Sequence, residues 1–161
     1  MKTCSFTGHR RIEPSHEKAL SDLLSRAVNY AYENGCRRFI AGGAIGFDTL
    51  AAREVIKFRI SHPDVTLVLA LPCMNQDKSW SVRQKDAYAY TLSSADEVVY
   101  LSEEYTDTCM KERNSYLVFE ADMLVAYVSR AASGAGQTLR MANAKGIKVY
   151  NLYAALVGEN R

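Results

Sequence analysis

Residues 39–53 start as an apolar run (Phe39, Ile40, Ala41), break into glycines at Gly42, Gly43 and Gly46, and resume at helical spacing with Leu50, Ala51, Glu54, Val55 and Phe58. Strand, glycine turn and helix in that order aim backbone N–H groups and a helix N-terminus at an anion, usually a phosphate. Asp48 falls where its carboxylate is expected to cap the orphan N–H groups of the first turn. A glycine turn by itself has a second reading, in which the glycines only permit positive φ. The rest of the chain decides how much to read into it.

Strand-like and helix-like segments alternate along the sequence. Lys2 to Thr7 reads as a strand that ends in Thr7-Gly8-His9-Arg10-Arg11. Pro14 and Ser15 open a helix with Leu20, Leu23, Leu24, Ala27, Val28 and Ala31 on one stripe, closed by Gly35. The helix after the glycine turn runs to about Ile60, and Pro63 breaks the chain. Val65 to Leu71 is apolar at nearly every position, as parallel strands covered on both faces are. A polar loop containing Gln76 leads to Trp80 and a helix ending near Ser93, then a strand over 96–101 and a helix over 108–121. Met123 to Val128 is another buried strand, followed by Ser133-Gly134-Ala135-Gly136-Gln137-Thr138 and a helix that stops at Gly146. Residues 147–150 form a last strand.

This alternation predicts one α/β domain over residues 1–161, a Rossmann-like three-layer sandwich with a mostly parallel sheet and helices on both faces. Right-handed crossovers put every strand-to-helix loop at the carboxyl edge of such a sheet, where ligands bind. Three loops then meet: Thr7-Gly8-His9-Arg10, the Gly42–Gly46 turn, and the stretch with Gly134, Gly136 and Thr138. Together they offer backbone donors, hydroxyls and fixed positive charge, the groups that hold a phosphate. Arg11 reads as solvated surface. Asn114 interrupts the apolar stripe of its helix beside Arg113, so it needs a hydrogen-bond partner in the fold or on a ligand. Gln76 and Trp80 are placed to flank an adenine, although a tryptophan is more often a packing residue. His16 and His62 read as surface residues at helix ends.

Composition narrows the class. The formal charge is only +2, so nothing global demands nucleic acid or an anionic membrane. The four cysteines are scattered without a C-x-x-C pair or clustered histidines, which argues against a disulfide framework or a metal site and for a reducing compartment. No signal-peptide h-region and no run of about 18 apolar residues is present, so a cytoplasmic protein without a membrane partner is expected. There is no G-x-x-x-x-G-K-[ST], no G-x-G-x-x-G after the first strand and no G-x-S-x-G, which excludes P-loop hydrolase, standard dehydrogenase and hydrolase-elbow signatures. Cys73 follows a strand with no histidine placed for it, and reads as an inert buried thiol.

The motifs Thr7-Gly8-His9-Arg10, Gly42-Gly43-Ala44-x-Gly46-Phe47-Asp48-x-Leu50-Ala51-Ala52, Leu71-Pro72-Cys73 with Gln76 and Trp80, and Arg113-Asn114 occur in order over nearly the whole chain. In this it resembles the YpsA-like family of the SLOG superfamily, which implies a Rossmann-like fold and a pocket for a nucleotide or nucleotide-derived ligand. It is more distantly similar to the LOG phosphoribohydrolases, with Met110 and Arg113 matching M-x-x-R-K-x-x-M and Asn114 standing where lysine does. The later loop has Arg140 and Met141 where the LOG glutamates fall. Hydrolysis of an N-glycosidic bond would therefore need another carboxylate, Asp48 or Glu120, near the ribose. The leading expectation is nucleotide binding in a sensor or regulatory role. The alternatives are a LOG-like glycosidic hydrolase and a single-stranded DNA binder like the DprA relatives. DNA fits worst, because no basic–aromatic run is present. Related folds often dimerise, so a homodimer is a further expectation.

Overall fold

A computed structural model describes residues 1–158. Six strands form one parallel sheet: β1 (Lys2–Gly8), β2 (Cys36–Ala41), β3 (Thr66–Leu71), β4 (Glu97–Tyr100), β5 (Met123–Tyr127) and β6 (Lys148–Asn151). Their order across the sheet is β4-β3-β2-β1-β5-β6. The helices are α1 (Glu17–Glu33), α2 (Phe47–Ser61), α3 (Val82–Ser94), α4 (Cys109–Glu120), α5 (Gly134–Lys145) and α6 (Leu152–Gly158). This is the Rossmann-like α/β arrangement the alternation predicts, with α1, α2, α3 and α6 packed along one face and α4 and α5 on the other.

The larger core layer is built from the α1 stripe (Leu20, Leu24, Val28, Ala31), Phe47, Ala51 and Val55 of α2, and the inward residues of β1, β2, β3 and β5. Phe6 and Phe39 stack across β1 and β2 with ring centroids 6.2 Å apart. Residues 66–71 are apolar nearly throughout because both faces of β3 are covered: Leu67 and Leu69 enter one layer, and Val68 and Ala70 the other. On the second face, the buried Ser5 hydroxyl donates to the Leu117 carbonyl at 2.7 Å and ties α4 to β1.

The last turn of α4 is closed from α5. Lys145 Nζ donates to the carbonyls of Val118, Phe119 and Ala121 at 2.9, 2.7 and 3.2 Å. A cation over unsatisfied carbonyls also complements the helix dipole. Lys145→Ala is therefore expected to lower the unfolding free energy by about 1–2 kcal/mol in urea titrations, a large share of it from the freed carbonyls. No change would mean that water replaces the lysine at no cost.

Three local expectations are corrected. Asp48 is not the N-cap of α2: Gly46 is, and Asp48 lies inside the first turn. Gly134 and Gly136 belong to the first turn of α5, which Ser133 caps by accepting from the Gly136 amide at 2.9 Å. His16 is buried, because the short 3-10 turn Pro14–His16 lays its ring against Tyr127, with Nδ1 2.9 Å from the phenol oxygen. α6 is not expected from the sequence, because its Leu152 and Leu156 give a single buried pair too short to register as periodicity.

Candidate functional site

The strand order fixes where a site can form. From β1 the chain steps outward through β2 and β3 to β4, then returns through α4 to place β5 on the other side of β1. At such a reversal the loops after the two strands diverge and leave a crevice at their carboxyl ends. A cavity of about 370 Å³ lies there. Thr7, Gly8, His9, Arg10 and Arg11 reach it from β1, Asp48 and Ala44 from the glycine turn, Arg113 and Asn114 from α4, and Arg130, Ser133 and Gly134 from the end of β5 and start of α5. A wider cleft of about 940 Å³ adjoins it between α2 and α3, sharing Arg10 and carrying Arg53 and Arg83.

Glycine is required where the first two loops cross. Gly46 has φ +80°, and a Cβ there would sit 2.1 Å from the Arg10 carbonyl oxygen. The contact is sealed by Phe47 N–H, which donates to the His9 carbonyl at 3.2 Å. A Cβ on Gly42 would lie 2.7 Å from Asp48 Oδ2 and 2.8 Å from Arg113 Nη1, so the bare α-carbon lets both charged groups close over the end of β2.

Asp48 and Arg113 form the floor. Asp48 is 5% exposed; Oδ2 accepts from the Ala44 N–H at 3.2 Å, while Oδ1 has no hydrogen-bond partner among the described residues. Burial pushes its carboxyl up to about 6, against the opposing pull of the Arg113 charge, the Ala44 N–H and Arg10. Arg113, 5% exposed, donates through Nε to Asn114 Oδ1 at 2.9 Å and through Nη1 to the Gly42 carbonyl. Burial lowers the Arg113 pKa, with Asp48 pulling the other way. Asn114 answers its interruption of the α4 stripe by accepting from Arg113 and donating to the Gly134 carbonyl at 3.5 Å.

The opposite wall hangs on His9. Its Nε2 accepts from the Ser129 amide at 2.8 Å and lies 3.4 Å from the Arg130 nitrogen. Burial first, and then the Arg130 charge, lower the His9 pKa, in keeping with a neutral ring that accepts at Nε2. Ser133 Oγ donates to the Arg130 carbonyl at 2.6 Å and takes the Gly136 amide, while its carbonyl takes the Gln137 amide. The Gly134 and Ala135 amides stand in the first turn of α5, where helix geometry supplies no intrahelical acceptor, and both residues border the cavity.

The fold thus gathers Thr7, Gly8, His9, Arg10, Asp48, Arg113, Asn114 and Gly134 around one space. Other expected ligand residues stand behind it. Gln76 Nε2 donates to the Gly43 carbonyl at 3.1 Å and props the glycine turn. Trp80 packs edge-on against Tyr88 at 5.2 Å. Thr138 is fully buried and donates to the Gly134 carbonyl. Gly42 and Gly43 shape the turn, Gly46 faces the wider cleft, and Gly136 lies against the Ala131 carbonyl. Glu120 pairs with Arg38 at 3.3 Å at the far end of α4. Arg11, expected at the surface, is exposed but borders the cavity, and Arg130 was missed altogether. Its signal is position: it follows a buried strand at the same edge as the other loops.

Among the described residues no helix is long and apolar enough to cross a membrane. The profile of the YpsA (YspA SLOG) family matches residues 6–154. An uncharacterised SPbeta prophage-derived protein, YoqJ of Bacillus subtilis, is 32% identical over 80% of this chain and 82% of its own length. A UPF0398 protein of Bacillus cereus is 25% identical over 99% of this chain and 92% of its own. Among solved structures, DNA processing protein A (DprA) of Streptococcus pneumoniae superposes with a TM-score of 0.66 at 16% identity, covering 92% of this chain but 49% of that one. The chain thus spans about half the length of that protein. DprA of Helicobacter pylori, described by its single-stranded DNA binding mode, gives 0.65 at 16% identity over 92% of this chain and 63% of that one. The TM1055 protein gives 0.57 at 17% identity over 92% and 72%. At these identities the structures share the fold, and the match along nearly the whole sequence places the chain in the YpsA family of the SLOG superfamily.

Proposed function

We propose that the cavity between β1, β5, α4 and α5 binds a nucleotide or nucleotide-derived phosphate ester, in a sensing or regulatory role. The observation that carries this reading is that Arg10, Arg113, Arg130, the N-terminus of α5 and Asp48, whose buried Oδ1 has no hydrogen-bond partner among the described residues, all border one cavity. Guanidinium groups and a helix N-terminus call for an anion. An orphaned carboxylate oxygen calls for a hydroxyl or N–H donor. A sugar phosphate offers both, the anion on Gly134, Ala135 and the arginines, and a ribose hydroxyl on Asp48.

Titration calorimetry with nucleoside 5′-monophosphates tests it. Arg113→Ala is expected to weaken binding roughly tenfold to hundredfold, the worth of a charge-assisted hydrogen bond in a dry site. Arg113→Lys, which keeps the charge, controls for folding. Unchanged affinity in both variants would remove Arg113 from the site.

Two further readings each have an observation in their favour. A glycosidic hydrolase is favoured by the Asp48 carboxyl at about 6, close to the range a general acid or base needs; Glu120, paired with Arg38 away from the cavity, no longer competes for that role. Release of free base from nucleoside monophosphates would mark it. Single-stranded DNA is favoured by the arginines around the cavity and by the fold shared with the Helicobacter pylori DprA, which weakens the expectation drawn from the near-neutral charge. Binding to oligonucleotides that falls steeply with salt would mark that one.

A further inference from the structure

His9 has a second side. Beyond it, a cavity of about 450 Å³ is bounded by His9, Arg11 and Arg130, which also border the first cavity, and by Glu13, Tyr127 and Tyr153. The two spaces therefore share one imidazole ring and two guanidinium groups as a common border. Tyr127 is 1% exposed, with Phe47 stacked on it at 6.0 Å and His9 edge-on at 6.2 Å, so the accessible ring in the second cavity is that of the half-buried Tyr153, edge-on to Tyr127 at 5.4 Å. Glu13 stands at its mouth with half its side chain exposed. Its carboxylate is held only by long contacts, to His16 Nε2 at 3.4 Å and the Tyr153 hydroxyl at 3.4 Å, so acceptor capacity remains.

We propose that this second cavity is the base subsite of the same ligand site and that it selects guanine. The inference rests on the reading of the first cavity as a sugar-phosphate site. Aromatic and guanidinium planes are surfaces on which a flat base stacks. Among the bases, guanine presents O6 and N7 as adjacent acceptors, which suit an arginine, and N1–H with the 2-amino group as adjacent donors, which suit a carboxylate. Adenine turns the lone pair of N1 toward that carboxylate instead. Gln76, bonded to the Gly43 carbonyl, and Trp80, edge-on to Tyr88, do not line either cavity, so the proposed base subsite replaces the adenine platform expected from them.

The test is calorimetry with 5′-GMP, 5′-AMP and ribose 5-phosphate on the parent and on Glu13→Gln, an exposed substitution with little bearing on the fold. The expected result is that GMP binds at least about tenfold tighter than AMP, a typical worth of one well-formed base contact. Glu13→Gln should remove most of that difference and leave ribose 5-phosphate affinity as it was. Equal binding of GMP and AMP, or a GMP preference untouched by Glu13→Gln, overturns the base subsite while ribose 5-phosphate binding still upholds the first cavity. Failure of all three compounds to bind overturns both.

Discussion

Asp48→Asn is expected to fold more stably than the parent at pH 7, by about 3 kcal/mol, and to bind ligand less well. In the folded chain the Asp48 carboxyl titrates at about 6, against 3.8 for the free group. Between those values the native state holds a proton that the unfolded state has released, so stability falls as pH rises from about 4 to about 6 and stays reduced above it. A shift of this size corresponds to about 3 kcal/mol. The amide has nearly the same shape and no charge to desolvate, so it escapes the penalty. Urea titrations from pH 4 to pH 8 check this: the parent should lose stability across the window and the variant should not. A variant less stable than the parent at pH 7 would mean that the Arg113 charge more than offsets the burial of Asp48. A residue that destabilises its own fold and leaves an oxygen unpartnered is what a binding site retains for its ligand.

Gly46→Ala is expected to cost about 2–4 kcal/mol, combining a left-handed backbone with overpacking. With φ at +80° and the Arg10 carbonyl 2.1 Å from the position of a Cβ, neither partner can move without pulling the β1 loop off the start of α2. Because Phe47 and His9 are bonded across the same junction, ligand affinity should fall along with the thermal midpoint. By contrast, Gly146→Ala at the C-cap of α5 meets nothing within 4 Å and incurs only the strain of its φ of +84°. Equal losses in the two variants would show that the approach of Arg10 to Gly46 contributes nothing beyond backbone conformation.

The strands were legible because a parallel sheet covered on both faces writes each strand as an apolar run, and the glycine turn was legible because no other residue fits it. The reversal of strand order was not. It depends on β1 pairing with β5, a contact such as Thr3 N–H to Asp122 Oδ2 at 2.8 Å, spanning residues far apart in the chain. The same distance hid His16, whose burial comes from Tyr127, and the cavity walls supplied by Arg130 and Tyr153. Helical spacing located Asp48 only to within a residue or two of the α2 start. That margin separates a solvated cap from a buried acid. Asn114 was legible as an anomaly on an apolar stripe, whereas its partner Gly134 was legible only as a glycine.

The most direct measurement is the set of backbone amide shifts in the ¹H–¹⁵N spectrum on adding a nucleoside 5′-monophosphate. Binding in the β1–β5 crevice should move the amides of Ala44, Asp48, Ser129, Gly134 and Ala135 together and saturably. Shifts confined to the Arg53–Arg83 cleft, or none at millimolar nucleotide, would contradict a nucleotide site at the reversal of the sheet.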